Sequence, residues 1–469
     1  MAESADSAMV KFRRTSPVVA EATWSYREAI WKLGTVNRMY VDIEKILKGG
    51  MEGKKVSIRG WVHRQRSSGN LNFIILRDGT GRIQCAIKKD KAGEKAWKDA
   101  SAIYIESSAE IAGTVKKDER APGGWELQAE DFRVVWRGEP FPISKDLSEE
   151  FLLDVRHLWL RSRKLVAAMK ARHHLVNYLR EYLDGDGFYE IVPPVITKSQ
   201  CEGGSTLFAM DYFGEPAYLT QSGQLYAEVM AFGLGKVYAF APSFRAEKSR
   251  TLRHLAEYWH LEPEMVWYSH EQNMKLQEEL VAYAVQKFVK EHPDLLEEME
   301  RDAGKLKKVK APFPRMLYDD AVEQVNKLGG KMENGQDFGA DEEAILTKGY
   351  EKPLFVEKFP KGIKAFYMRE DPEKPGYVLN NDLLAPEGHG EIIGGSERIW
   401  DYNELVARMK EFGLDPDGDM KWYVDLRRYG SVPHSGFGMG IERLVKWVLG
   451  LNHIRDAIPF PRTITRCYP

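Results

Sequence analysis

Phe244-Arg245-Ala246-Glu247-Lys248-Ser249-Arg250-Thr251-Leu252-Arg253-His254-Leu255-Ala256-Glu257-Tyr258-Trp259-His260-Leu261-Glu262 is the stretch whose reading decides the fold. It packs cations, carboxylates and aromatics between two strand-like segments, the composition of a loop loaded for polyphosphate. An arginine offers a planar fork of donors matched to phosphate or carboxylate oxygens, so Arg245, Arg253 and His254 can each hold a different phosphate. Tyr258 offers a face to a base. Taken alone, the same residues also describe a charged surface hairpin.

Two other stretches keep it company. Gly436-Phe437-Gly438-Met439-Gly440-Ile441-Glu442-Arg443-Leu444-Val445 reads as a Gly-rich turn running into an amphipathic helix, with Arg443 in the first turn. Arg443 there can lie against an adenine face or a terminal phosphate. Upstream, Leu165, Met169, Arg172, Val176, Leu179 and Leu183 recur at helical spacing and stop at Gly185-Asp186-Gly187. A strand and a proline follow in Phe188-Tyr189-Glu190-Ile191-Val192-Pro193-Pro194.

The rest of the chain frames these stretches. Its 469 residues exceed the ~250 to 300 at which single cores stop growing, so two or three domains are expected. With 43% hydrophobic and 29% charged residues the chain is globular, and no apolar run reaches the ~18 residues of a membrane span. A soluble, cytoplasmic protein is expected. Sixty-eight Lys plus Arg against seventy Asp plus Glu give a formal charge of -2, so any nucleic-acid binding must come from local patches. Cys85, Cys201 and Cys467 are too scattered for a disulfide framework or a zinc site. Trp24, Tyr26, Ile30, Trp31 and Leu33 suit a short docked helix in a leader of residues 1–50.

From residue 51 to 137 short strands alternate: Val56, Ile58 and Gly60-Trp61-Val62, then Asn72 to Leu76, the turn Asp78-Gly79-Thr80-Gly81, then Ile83 to Ile87. This predicts a small β barrel. Residues 138–157 read as a hinge, 158–469 as a large domain of strands and helices, and 290–375 as a variable insert whose run from 290 to 311 suits a solvated helix end or loop. A helix is predicted over 270–291.

In this order and at these distances the three stretches resemble motifs 1, 2 and 3 of the class II aminoacyl-tRNA synthetases. Gly60-Trp61-Val62-His63, Phe73, Leu76-Arg77-Asp78 and Gln84 resemble the OB-fold anticodon-binding domain of the aspartyl, asparaginyl and lysyl subclass. The fold implied is a five-stranded OB barrel followed by an α+β domain with a mostly antiparallel sheet flanked by helices.

Pocket charge bears on which amino acid is used. Aspartate and asparagine are nearly isosteric, so only what the pocket offers the side-chain end can separate them. Gln221-Ser222-Gly223-Gln224-Leu225-Tyr226-Ala227-Glu228 is similar to the Gln-Ser-Pro-Gln-Leu-Tyr-Lys-Gln signature of aspartyl enzymes, but Ala227 replaces their lysine and Glu228 a neutral glutamine. A lost cation and a gained anion suit asparagine. Cys201-Glu202-Gly203-Gly204, and Asp382 to Pro386 followed by Gly390 to Arg398, resemble the flap and substrate-binding core of the asparaginyl branch, and His453 to Ala457, Pro461-Arg462 and Arg466-Cys467 its archaeal and eukaryotic cytosolic form.

The resemblance implies ATP and L-asparagine as substrates, Mg2+ as cofactor, tRNA(Asn) as partner and, from Pro194, a homodimer. It puts Glu202, Gln224, Glu228, Arg245 and Arg398 on the amino acid. Arg245, Glu247, Arg253, His254, Leu255, Tyr258, Glu391, Gly440, Glu442 and Arg443 fall on ATP. Catalysis would be positioning and charge stabilisation by Arg245, Arg443 and Glu391 with its metal, without a protein nucleophile. Glu391 is the metal ligand implied, and Gly394 stands where many relatives carry a second, serine ligand. Arg66, Phe73 and Gln84, with Arg64 nearby, would meet the anticodon. The alternatives are an aspartyl enzyme, whether charging one tRNA or both, an asparagine synthetase derived from the family, whose relatives lack an anticodon domain, and a non-catalytic RNA-binding paralogue. The last should have lost Arg245, Arg253 and Arg443, which are present.

Overall fold

The computed structural model describes residues 40–144, 147–199, 201, 206–247 and 253–469. The leader residues Trp24 to Leu33 lie outside them. Two compact units meet in sequence between Leu147 and Ser148.

In the first unit β1 (Lys55–Ser68), β2 (Leu71–Arg77), β3 (Arg82–Lys88), β4 (Ser108–Lys117) and β5 (Trp125–Trp136) close a barrel in the order β1-β2-β3-β5-β4. Strand alternation sends Val56, Ile58, Val62, Ile74, Leu76, Ile83 and Ile87 into one core. Closure needs Gly60, where a Cβ would lie 2.1 Å from the Arg77 carbonyl oxygen. The β2–β3 turn is held by Asp78, whose Oδ1 accepts the backbone N–H of Thr80 and Gly81 at 2.7 and 2.8 Å. This is the expected five-stranded barrel.

The second unit is built on β6 (Tyr189–Ile191), β7 (Ile196–Thr197), β8 (Ala209–Tyr212), β9 (Glu215–Leu219), β10 (Lys236–Phe244), β11 (Glu257–Val266), β12 (Arg315–Leu317), β13 (Leu354–Glu357), β14 (Asn380–Ala385), β15 (Gly390–Glu397) and β16 (His434–Gly440). Eight of these form one sheet, β12-β13-β14-β15-β16-β11-β10-β6, and β7-β9-β8 form a small second one. Only the end pairs β6/β10 and β12/β13 of the large sheet are parallel. Helices Arg163–Gly185, His270–Glu291 and Ile441–Leu449 share its main core through Leu179, Leu280, Trp447 and the strand residues Ile393, Phe437 and Met439. The first of these helices stops at Gly185, and Gly187 takes φ +81°. The second starts on a capping box between Ser269 and Gln272.

Three features differ from the sequence reading. The glycines from Gly436 to Gly440 are not a turn but a central strand, and only at Gly436 does a neighbour demand glycine, since a Cβ there would lie 2.1 Å from the Glu264 carboxyl carbon. The charged run 290–311 is not merely solvated, since Leu295, Leu296, Leu306 and Val309 join the main core. Residues 148–157 belong to the second unit, where the buried Arg156 donates to the carbonyls of Arg455, Ile458 and Pro459.

Candidate active site

Strands β10 and β11 form an antiparallel hairpin that ends in the pair Phe244↔Glu257, and β16 and β15 follow beside β11. Their shared face, with the first turn of helix Ile441–Leu449, bounds a cleft of about 700 Å³, open solvent included. Arg245, Glu247, Arg253, His254, Leu255, Tyr258, Glu391, Gly440, Glu442 and Arg443 all line it, so the entire predicted nucleotide set is brought together.

Its charges are cross-paired. Arg443 Nη1 donates to Glu391 Oε2 at 2.7 Å and to the Glu391 carbonyl at 3.2 Å. Burial alone would raise the Glu391 carboxyl, but Arg443, Lys364 and Arg253 bring it down to about 2. Arg253 grips Glu343 with both terminal nitrogens, at 2.6 and 3.0 Å, and Glu343 also accepts the backbone N–H of Glu391 at 2.5 Å. The Arg245 guanidinium lies 5.7 Å from the Tyr258 ring centre. Burial and then Arg443 hold the His254 imidazole below its usual range. Glu442 differs from the rest: its carboxylate faces Arg172 at 2.9 Å and accepts the Trp259 N–H at 3.0 Å, which ties the helix to β11.

Glu391 carries the only carboxylate expected to hold a metal, and the neighbourhood fits one. A Cβ at Gly394 would lie 3.4 Å from Glu391 Oε1 and 3.7 Å from Asp382 Oδ1, so that position offers room between two carboxylates and no donor of its own. Asp382 is pushed up to about 7 by burial, with Lys364 opposing and Glu391 adding to the rise. Lys364 Nζ sits 2.9 Å from Asp382 and 3.1 Å from Asp337. Among the described residues no three acidic, His or Cys side chains form a metal cage. A cation here would therefore complete its shell with ligand oxygens.

Of the amino-acid set, Arg245 lines the nucleotide cleft, while Gln224, Glu228 and Arg398 lie in a buried cluster. Glu202 lies outside the described residues. Glu262 accepts the Gly223 N–H at 2.8 Å and so pins the Gln221–Gln224 turn to β11 at the start of helix Gln224–Leu234. From that helix Gln224 Nε2 donates to Glu228 Oε1 at 3.1 Å. Tyr423 Oη reaches both Glu228 oxygens at 3.0 and 2.8 Å, Arg427 Nη2 donates to Oε2 at 2.8 Å, and His434 Nε2 lies 3.0 Å from it. Burial would raise this carboxyl, yet Arg427 and His434 hold it well below the usual range. Arg398 grips Glu264 and donates to Ser396 Oγ at 2.7 Å.

The anion expected at residue 228 is therefore present but not bare. Arg427, Tyr423, His434 and Glu264 were missed by sequence reasoning. The Tyr423/Arg427 spacing of four residues was a usable signal, since it puts both on one side of helix Lys421–Arg428.

In the first unit the three anticodon candidates share the outer face of the barrel. Phe73 alternates with the buried Asn72 and Ile74, and Arg66, its register partner, stands over its ring at 5.1 Å. Phe73 is thus not a core residue. Gln84 pairs with Ile75 across β2–β3, and its Nε2 donates to Glu126 at 2.8 Å.

Comparison with known proteins agrees with both units. The family of class II tRNA synthetases (D, K and N) matches residues 148–464, and the OB-fold nucleic acid binding domain matches residues 56–135. The chain is 50% identical to an asparagine-tRNA ligase of Thermoplasma acidophilum over 417 residues, 89% of this chain and 97% of the relative. It is 53% identical to that of Thermococcus kodakarensis over 420 residues, again 89% and 97%. The crystal structure of asparaginyl-tRNA synthetase from Pyrococcus horikoshii complexed with asparaginyl-adenylate superposes with a TM-score of 0.89 at 48% identity, over 93% of this chain and 100% of that one. The chain belongs to the class II tRNA synthetases of the aspartyl, lysyl and asparaginyl group, and within them to the asparagine-tRNA ligase family.

Proposed function

We propose that this protein activates L-asparagine with ATP, releasing pyrophosphate, and then passes asparagine from the adenylate to the terminal ribose of tRNA(Asn). The observation that carries the choice of amino acid is that each buried arginine of the pocket cluster already has a carboxylate: Arg427 has Glu228 and Arg398 has Glu264. With Ala227 buried where aspartyl enzymes keep a lysine, an aspartate side chain would enter without a free cation, at the cost of burying an unpaired charge.

The asparagine carboxylate attacks the α-phosphorus in line, and the chain supplies placement and charge, not a nucleophile. Arg245 bridges that carboxylate and the α-phosphate, Tyr258 stacks below the adenine and Arg443 lies above it. Glu247 and the segment Arg253-His254-Leu255 hold the rest of the nucleotide. Arg398 donates to the side-chain carbonyl oxygen, Glu228 forms the acceptor side of the pocket, and Glu202 closes over the α-amino group. Glu391 would hold Mg2+, with room left at Gly394, and the ion when bound offsets phosphate charge.

On the barrel, Phe73 offers a stacking face and Gln84 an edge reader for a single-stranded anticodon base, with Arg66 and Arg64 for backbone phosphates. A homodimer is proposed through the end of the large sheet, where among the described residues β6 has no partner on its outer edge and Tyr189 and Val192 are exposed, Val192 at 94%. Action in the cytoplasm fits a chain in whose described residues no helix is long and apolar enough to cross a membrane.

ATP-pyrophosphate exchange tests the reading. Asparagine should support rapid exchange and aspartate very little. Equal rates with the two amino acids would overturn the substrate assignment.

A further inference from the structure

We propose that Arg427 is a specificity-determining positioning residue, a carboxylate receptor kept silent by Glu228. The inference rests on the asparagine reading and adds a residue to it. A cation is present at this pocket after all. It arrives from helix Lys421–Arg428, not from position 227, and Glu228 occupies it.

Arg427 is held on several sides. Its side chain is fully buried. Nη2 donates to Glu228 Oε2 at 2.8 Å and to Tyr423 Oη at 3.0 Å, and Nε donates to the Ile399 carbonyl at 2.9 Å. Ile399 directly follows Arg398, whose own N–H donates to the His434 carbonyl at 2.9 Å, so the two arginines are fixed to one piece of backbone. Arg427 Nη1 is buried and has no acceptor among the described residues.

The count at Glu228 gives the pairing its meaning. An ionised carboxylate has about four lone-pair positions. Four side chains, Gln224, Tyr423, Arg427 and His434, face it, with Tyr423 Oη in reach of both oxygens. Glu228 is thereby fixed in place as the acceptor side of the pocket, and its negative charge offsets that of Arg427. Changing Glu228 to glutamine keeps the shape but removes the charge, which leaves a buried guanidinium without a counter-ion. An aspartate side chain would supply that counter-ion, and an asparagine side chain would not.

The test is amino-acid-dependent pyrophosphate exchange with asparagine and with aspartate, read as the ratio of kcat/KM values. In Glu228→Gln the preference for asparagine should fall at least about 10-fold, chiefly through a gain with aspartate. In Glu228→Gln/Arg427→Gln that gain should vanish, whereas Glu228→Gln/Arg427→Lys should keep it. A merely structural Arg427 would lower both amino acids together and leave the ratio alone. Should the single variant not fold, the two double variants decide between them: more aspartate exchange with lysine than with glutamine supports the proposal, and equal exchange overturns it. An unchanged ratio in Glu228→Gln, or a gain that survives Arg427→Gln, also overturns it while leaving the asparagine reading intact. No exchange with asparagine in the unaltered protein would sink that reading and this inference together.

Discussion

The nucleotide cleft and the Glu228 cluster are made from the same pair, arginine on glutamate, but differ in access to water. The Arg443 and Glu391 side chains are 19% and 30% exposed, those of Arg427 and Glu228 both 0%. In the open cleft a pair can be exchanged, because a phosphate can take the arginine and water or a metal the carboxylate. In the sealed cluster neither partner can leave without exposing the other to a low-dielectric interior. The first arrangement suits the charged ligand proposed for the cleft, and the second suits the exclusion of one.

The sharpest way to break this contrast is Arg427→Gln, which should cost about 3 to 5 kcal/mol of stability by orphaning Glu228. Denaturant unfolding measures it, and Glu228→Gln/Arg427→Gln should recover part of the loss. Arg443→Ala should leave stability much closer to that of the parent but lower kcat for asparagine exchange by about 100- to 1000-fold. A stability loss at Arg443 as large as that at Arg427 would erase the distinction between exchangeable and sealed pairs.

Phe73→Ala probes the other unit. It should raise KM for tRNA by about 5- to 150-fold, from the ~1 to 3 kcal/mol of one base stack, with pyrophosphate exchange unchanged. The smallest effect concerns acid. Glu391 and Glu387 are both held near pKa 2, the first by Arg443 against burial and the second by Arg301 and Lys305. Carboxyls depressed in the folded state stabilise it above their ordinary value of 4.5 and lose that contribution as pH falls towards 2. The melting temperature should therefore show no decline from these groups between pH 7 and about 5, then fall below it.

Much of this was legible in one dimension. Alternation in residues 56 to 62 and 72 to 76 predicted barrel strands, because a two-residue period with one buried face leaves few other arrangements. The nucleotide residues were legible because they cluster in three short stretches whose strands lie side by side. What stayed hidden were partners far apart in the chain. Arg427 lies 199 residues from Glu228, and Glu343 lies 90 residues from Arg253, inside a stretch that reads as an insert. Charge counting along a motif sees an anion gained at residue 228 but not the cation folded onto it. The same blindness made Gly436 to Gly440 read as a turn, since the need for glycine at Gly436 comes from Glu264 on a neighbouring strand.

Glu343 has a consequence of its own. From helix Ala340–Thr347 one carboxylate fastens Arg253 on one wall of the cleft and the Glu391 amide on another. The two walls are thereby tied to one buried anchor, so a substitution at Glu343 would loosen both together.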